Sequence, residues 1–212
     1  LLNNYVLILN QFENQNIHLS MTKFQQAIKA IDKENSQDPN RELVEGKSYP
    51  KELLYSERMT RQLLLFEPKA SKELQIAARA QHICRWKSPR EDYPMDRIGY
   101  LKWREDLKKM HAKLTTNILE QSDFEKDFID RVQFLIKKKL IKKDEETQTL
   151  EDVICLVFLQ YYFEDFASKH KDEKVIDIIQ KTWLKMSQRG QAEALKLPLN
   201  DKTLELVGRA LA

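Results

Sequence analysis

Glycine and proline are scarce in this chain, with four Gly and six Pro among 212 residues. That scarcity argues against a turn-rich β architecture, and it leaves no room for a glycine-rich phosphate loop. Neither a Walker A sequence nor GxGxxG, HExxH or GxSxG occurs. Cysteine appears only twice, as Cys84 and Cys155. Two cysteines without CxxC spacing make neither a disulfide framework nor a zinc site, so both read as reduced thiols in helical core. The longest apolar run, Val153 to Phe163, is broken by Gln160 and is far shorter than the roughly 20 residues a membrane span requires. An excess of charge is missing too. The 36 basic residues face 33 acidic ones, for a net charge of +3, so bulk electrostatics do not imply a nucleic-acid partner.

What is present is 42% apolar and 33% charged residues, patterned at helical spacing. The expectation is an all-α protein: a single compact helical domain of about seven to nine helices over residues 21–212, long enough to bury a core without staples. Residues 1–20 read as an N-terminal extension outside this core. LLNNYVLILNQF has apolar character, but no basic stretch precedes it and no small-residue cleavage site follows, which is poor support for a secretory signal. The absence of Arg there argues against an organellar presequence. The expected location is intracellular, the cytoplasm before an organelle, and nothing in the sequence specifies an oligomeric state.

Phe24, Ile28 and Ile31 follow helical spacing in a first helix from Met21. Pro50 stands where N1 of a second helix falls, ahead of Leu53, Leu54, Met59, Leu63 and Leu64. Ser71 is placed to cap a third, expected to run through Trp86. A Pro-bounded loop, Lys87 to Asp96, leads to a fourth that ends near Glu120. Ser122 with Glu125, and Thr149 with Asp152, have the spacing of capping boxes opening two more helices. The later of these, Leu150 to about Lys169, is apolar nearly all round and reads as the central element. Val175 to Met186 is amphipathic, with Gly190 as a C′ residue, and a short helix follows Pro198. No alternation long enough for a sheet is found.

Between Glu73 and Arg104 lie His82, two of the three Trp and five Arg. Gln75, Arg79, His82 and Trp86 are spaced to share one face of the third helix, and Tyr100, Arg104, Leu107 and His111 one face of the fourth. If the loop folds these helices antiparallel, His82 approaches His111, which suggests a metal site. The plainer reading is two hydrogen-bonded, partly buried imidazoles. Arg85, Arg90, Arg97 and Arg104 carry the planar fork suited to phosphate oxygens; the alternative is ion pairing with Glu91, Asp92, Asp96 or Glu105. Trp86 and Trp103 are suited either to stacking on a base or to anchoring the core. Asp152 is either N3 of a capping box or a side chain facing a site, as is its neighbour Glu151. The run Lys137, Lys138, Lys139, Lys142 and Lys143 reads as a solvated helix end, with RNA or phosphate contact as the sharper alternative.

PKELLYSERMT, AARAQHICRWKSPREDYPMDRIGYLKWR, the HAK at His111 and TQTLEDVICLVFLQYYFEDFASKH together resemble the domain of unknown function 4202 family, from Met21 to about Leu197. More distantly, the helix order is similar to the HD-domain superfamily of metal-dependent phosphohydrolases. In that resemblance AARAQHICRW matches the helix of the His-Asp pair with His82 in the His place, TLEDVICLVF the late helix with Asp152 in the Asp place, and YSERM the first helix. Tyr55 occupies the place of the first His and Ile83 that of the paired Asp. His111 resembles an additional His of some branches.

The resemblance implies a metal-assisted phosphohydrolase acting on a small phosphorylated or nucleotide ligand. A divalent metal ion would be held by His82, His111 and Asp152. Arg79, Arg85, Arg90, Arg97 and Arg104 would bind substrate, with Tyr100 and Trp103 as pocket wall and Glu151 as the catalytic group that positions water. The alternative is a catalytically inactive HD-like fold that binds a nucleotide, RNA or protein partner through the Arg-rich loop.

Overall fold

A computed structural model describes residues 21–212; the expected extension over residues 1–20 lies outside the described residues. The first helix begins at a reciprocal cap, in which the Gln25 amide donates to Thr22 Oγ1 and the Thr22 amide donates to Gln25 Oε1. This is α1 (Lys23–Asn35). A hairpin follows, β1 (Arg41–Val44) and β2 (Lys47–Pro50), with Arg41 opposite Pro50 and Val44 opposite Lys47. Glu45 and Gly46 both have positive φ, 50° and 77°, as the tightest hairpin turns demand. The sequence reading contains no such element, because its strands are four residues long with none of their residues buried.

Pro50 is the N-cap rather than N1 of α2 (Lys51–Phe66). Ser71 caps α3 as expected, accepting from the Leu74 amide at 3.0 Å. The helix itself, α3 (Lys72–Arg79), does not reach Trp86. The chain turns from Ala80, Cys84 takes φ 54°, and the Cys84 amide donates to Asn35 Oδ1 at 3.0 Å. Short 3-10 turns at Arg85–Lys87 and Arg90–Asp92 lead to α4 (Arg97–Gln121), capped by Asp96 on the Gly99 amide.

The next two starts differ from the expected capping boxes. Helix α5 (Lys126–Ile136) has Glu125 itself as N-cap, without a side-chain bond. Helix α6 (Glu145–Tyr161) starts earlier, at Asp144, whose Oδ1 accepts from the Thr147 amide at 2.9 Å; Thr149 and Asp152 are internal to it. The expected helix to Lys169 is broken at Tyr162 into α6 and α7 (Phe163–Ser168). Then come α8 (Asp172–Trp183), α9 (Gln188–Ala194) and α10 (Asp201–Leu211). Gly190 does not close a helix: it is N3 of α9, its amide bonded to the Ser187 cap.

The class is all-α, and its ten α-helices among the described residues slightly exceed the expected number. One cluster of buried apolar side chains runs from Ala27 in α1 to Ala210 in α10. Helix α6 lies at its centre, with Leu150, Val153, Leu156 and Val157 fully buried, packed against α2, α3, α5 and α9. Among the described residues no helix is long and apolar enough to cross a membrane.

Candidate functional site

Glu52 and Tyr55 are one turn apart in α2, so they face the same side. Both are buried. The Tyr55 ring stacks on His82, which stands on the turn after α3, with centroids 4.0 Å apart and planes 11° from parallel. Beyond His82 lies His111 of α4, its centroid 6.0 Å away. The approach of the two imidazoles expected from the sequence is therefore present, although His82 projects from a turn and not from a helix.

The His111 Nδ1 atom is 2.8 Å from the Ile83 carbonyl oxygen. A carbonyl only accepts, so Nδ1 carries the proton and Nε2 presents a lone pair. That Nε2 and the Nδ1 of His82 are both buried and without a hydrogen-bond partner. Glu52 Oε2 lies 3.3 Å from His82 Nδ1, out of line for a hydrogen bond. Its other carboxylate oxygen is 3.9 Å from Arg85 Nη1, and no hydrogen bond to this carboxylate forms among the described residues. A buried carboxylate so lightly held is costly unless it has a task.

Arg85 follows His82 by three residues, and its guanidinium lies 5.3 Å from the Trp103 ring centre. Trp103 is fixed by an Nε1 hydrogen bond to the Ser88 carbonyl at 2.9 Å. Tyr100 lies 5.9 Å from Trp103, ring centre to ring centre, and accepts a hydrogen bond from Arg104 Nη1 at 3.3 Å. On the turn after α5, Lys138 Nζ meets Glu151 Oε2 of α6 at 2.7 Å, with side-chain exposures of 8% and 6%. The lysine run is thus not uniformly a solvated helix end: Lys139, Lys142 and Lys143 are exposed, whereas Lys138 turns inward.

Burial and the charges of Arg85, Lys138, Arg104 and Lys51 hold His82 well below its ordinary pKa. Burial, helped by His82, pulls His111 down to about 3. Both imidazoles are neutral at pH 7. Burial pushes the Glu52 carboxyl up, against the opposing pull of Arg85 and Lys51. Burial likewise opposes ionisation of Glu151, but Lys138 overcomes it and keeps that carboxylate below its usual range. Glu52 and Lys138 were not read as site residues from sequence. Their signals are faint: a Glu in a first turn serves the helix dipole in most helices, and Lys138 stands in a run of similar residues.

Asp152 does not join His82 and His111. Its carboxylate accepts from the Ser187 amide at 2.8 Å, from Ser187 Oγ at 2.5 Å and from Gln148 Nε2 at 3.0 Å, binding α6 to the start of α9. Arg79 pairs with both oxygens of Asp32 at 2.6 and 2.8 Å. Arg90 lies 6.0 Å from the Trp103 ring but directs its donors to the carbonyls of Tyr93, Pro94 and Asp96. Arg97 is exposed in the first turn of α4. Of the expected residues, the fold gathers His82, His111, Arg85, Tyr100, Trp103, Arg104 and Glu151, and adds Glu52, Tyr55 and Lys138. Among the described residues no three His, Cys, Asp or Glu side chains converge as a metal centre.

This assembly draws on α2, the turn after α3, α4, the turn after α5 and α6, all within residues 25–207, the span matched by the model of a family described as a domain of unknown function, DUF4202. The chain belongs to the DUF4202 family. No curated protein and no solved structure matches it. All the gathered side chains lie within the DUF4202 span, and the HD-domain resemblance rests on sequence motifs alone.

Proposed function

We propose that this DUF4202 chain binds a small phosphorylated ligand between α2, α4 and α6 and hydrolyses it with water as nucleophile. One observation carries the reading: His82 and His111 present buried, unpartnered nitrogens beside the Glu52 carboxylate and the Arg85 guanidinium, where the charges of Lys138 and Arg104 also act on His82. Cations beside buried, unpartnered nitrogens favour a phosphate group and stabilise the charge that develops on it. Glu52 is suited to take the proton from water, because burial raises its carboxyl towards the working range of a general base. His111 Nε2 accepts a hydrogen bond from the ligand or the water. Overall, a phosphomonoester and water give an alcohol and inorganic phosphate, with Glu52 returning its proton to the leaving oxygen.

The fit to a divalent metal is poorer in charge than in atom type. Two imidazole nitrogens and a Glu carboxylate are suitable donors, and a His whose other nitrogen is held by a carbonyl is oriented as metal-bound imidazoles are. The side chains do not converge as a ligand set, and the surrounding cations oppose a further dication. The chemistry is accordingly written on the chain's own groups, with metal dependence as the competing proposal.

The test is release of inorganic phosphate from a panel of phosphomonoesters and nucleotides, with and without a chelator, by the unmutated protein and E52Q. Turnover that survives chelation and falls by about 100-fold or more in E52Q is expected. Turnover abolished by chelation and restored by one metal favours the metal proposal. Thermal stabilisation by phosphate ligands without turnover favours binding alone, and a response to neither overturns the reading.

A further inference from the structure

Helix α5 ends in a way that its sequence does not favour. The Lys138 amide donates to the Leu135 carbonyl at 2.9 Å and the Lys139 amide to the Phe134 carbonyl at 3.1 Å, the paired bonds that close a helix through a left-handed residue. That residue is Lys138, with φ 53°. The position favours glycine, since a Cβ in this region crowds the backbone. Its side chain then enters the interior and forms a buried ion pair with Glu151. Such a pair adds little net stability, because both charges must leave water. Backbone and ion pair each raise the cost of lysine at this position, so helix termination does not explain it.

The electrostatic balance around Lys138 is positive. Glu151 is its one ion-pair partner, and no carboxylate lies within ion-pair distance of Arg104 among the described residues. Both cations act on His82, whose ring centre lies 6.0 Å from that of His111, the residue whose Nε2 is unpartnered. We infer that Lys138 is a phosphate-binding residue of this site and that Glu151 is its positioning residue. The inference rests on the phosphorylated-ligand reading and assigns within it which groups meet the phosphate. The ammonium can remain bonded to Glu151 through one N–H and offer another to a phosphate oxygen, with Arg104 and Arg85 completing the charge balance. Glu151 then touches no reacting atom; it aims Lys138 and keeps it protonated.

The experiment is isothermal titration with inorganic phosphate, alongside urea unfolding, for the unmutated chain, K138R, E151Q, R85M and the double variant K138M/E151L. Replacing both partners by apolar side chains leaves no orphaned charge, so the double variant is expected to unfold at an equal or higher urea concentration. Its phosphate affinity is expected to fall at least about tenfold, and K138R to stay within about threefold of the unmutated chain. E151Q leaves the ammonium without its carboxylate, so its phosphate affinity weakens as pH rises from about 7 to 9, a profile that lost packing alone would not produce. Undiminished affinity in the folded double variant, with weakened binding in R85M, overturns the Lys138 assignment alone. No phosphate binding by the unmutated chain overturns the reading of the site itself.

Discussion

A Cβ on Gly190 would lie 2.6 Å from Asp152 Oδ1. The first turn of α9 presses bare backbone against a carboxylate that is 2% exposed, while Ser187 supplies two hydrogen bonds to it. Asp152 therefore works as a fastener between two helices. G190A should force that contact apart and destabilise the protein by about 1–3 kcal/mol, read as a lower urea midpoint. A midpoint equal to that of the unmutated chain would contradict this packing.

Stability should depend on pH through the imidazoles. The folded pKa of His111 is about 3, below an unfolded value near 6.5, so the unfolded chain binds the proton first. The stabilisation is complete above about pH 6.5 and is lost progressively as pH falls towards 3. Between pH 7 and pH 5 this one residue should account for about 2 kcal/mol of lost unfolding free energy. Glu52, shifted upward, acts in the opposite sense at acid pH, so the difference between the unmutated chain and H111N isolates the imidazole. Parallel pH profiles for the two proteins would refute a neutral, buried His111.

The start of α6 should be sensitive to Asp144. Arg131 binds both of its oxygens, at 2.8 and 3.0 Å, while Oδ1 also caps the Thr147 amide. The Arg131 guanidinium is the main cause holding the carboxyl down at about 2. Since the folded pKa is depressed, the contribution is present above the unfolded value near 3.8 and disappears as pH falls through about 2. D144A should cost about 1–2 kcal/mol at pH 7, chiefly as the lost cap, and D144N should retain part of that. Urea titrations at pH 7 and pH 3 check both.

Asn35 ties α1 to the turn that carries His82, through the Cys84 amide. N35A should leave that buried amide unpaired, at about 1–3 kcal/mol. It should also disturb His82, two residues away, and lower turnover or phosphate affinity more than a surface substitution of equal stability cost. An N35A protein that loses stability but binds phosphate unchanged would show that the turn is held by other means.

Much of the helical fold is legible in apolar spacing, because α1, α2, α5 and α8 each bury one stripe. The Ser71 cap was legible for the same local reason. The misplaced starts share one cause: Thr149 and Asp152 have the spacing of a cap, but Asp144 reaches the free amides first, and Asp152 finds Ser187, 35 residues away. Likewise, α3 stops short of His82, and the turn beyond it is held by Asn35, 49 residues upstream. Of the site, the two His and two of the Arg stand out by residue type. Glu52 and Lys138 become visible only when burial separates them from the solvated charges they resemble in sequence.

The gathered side chains are spread over the chain from Glu52 to Glu151. No single helix or hairpin contains even half of the site, so it comes into being only when α2, α4 and α6 have docked, after most of the folding entropy has been lost. A ligand recognised there would meet no partial version of the site in an unfolded chain. Its binding energy would thus be felt as stability of the whole fold, making resistance to unfolding a general screen for the molecule that belongs in it.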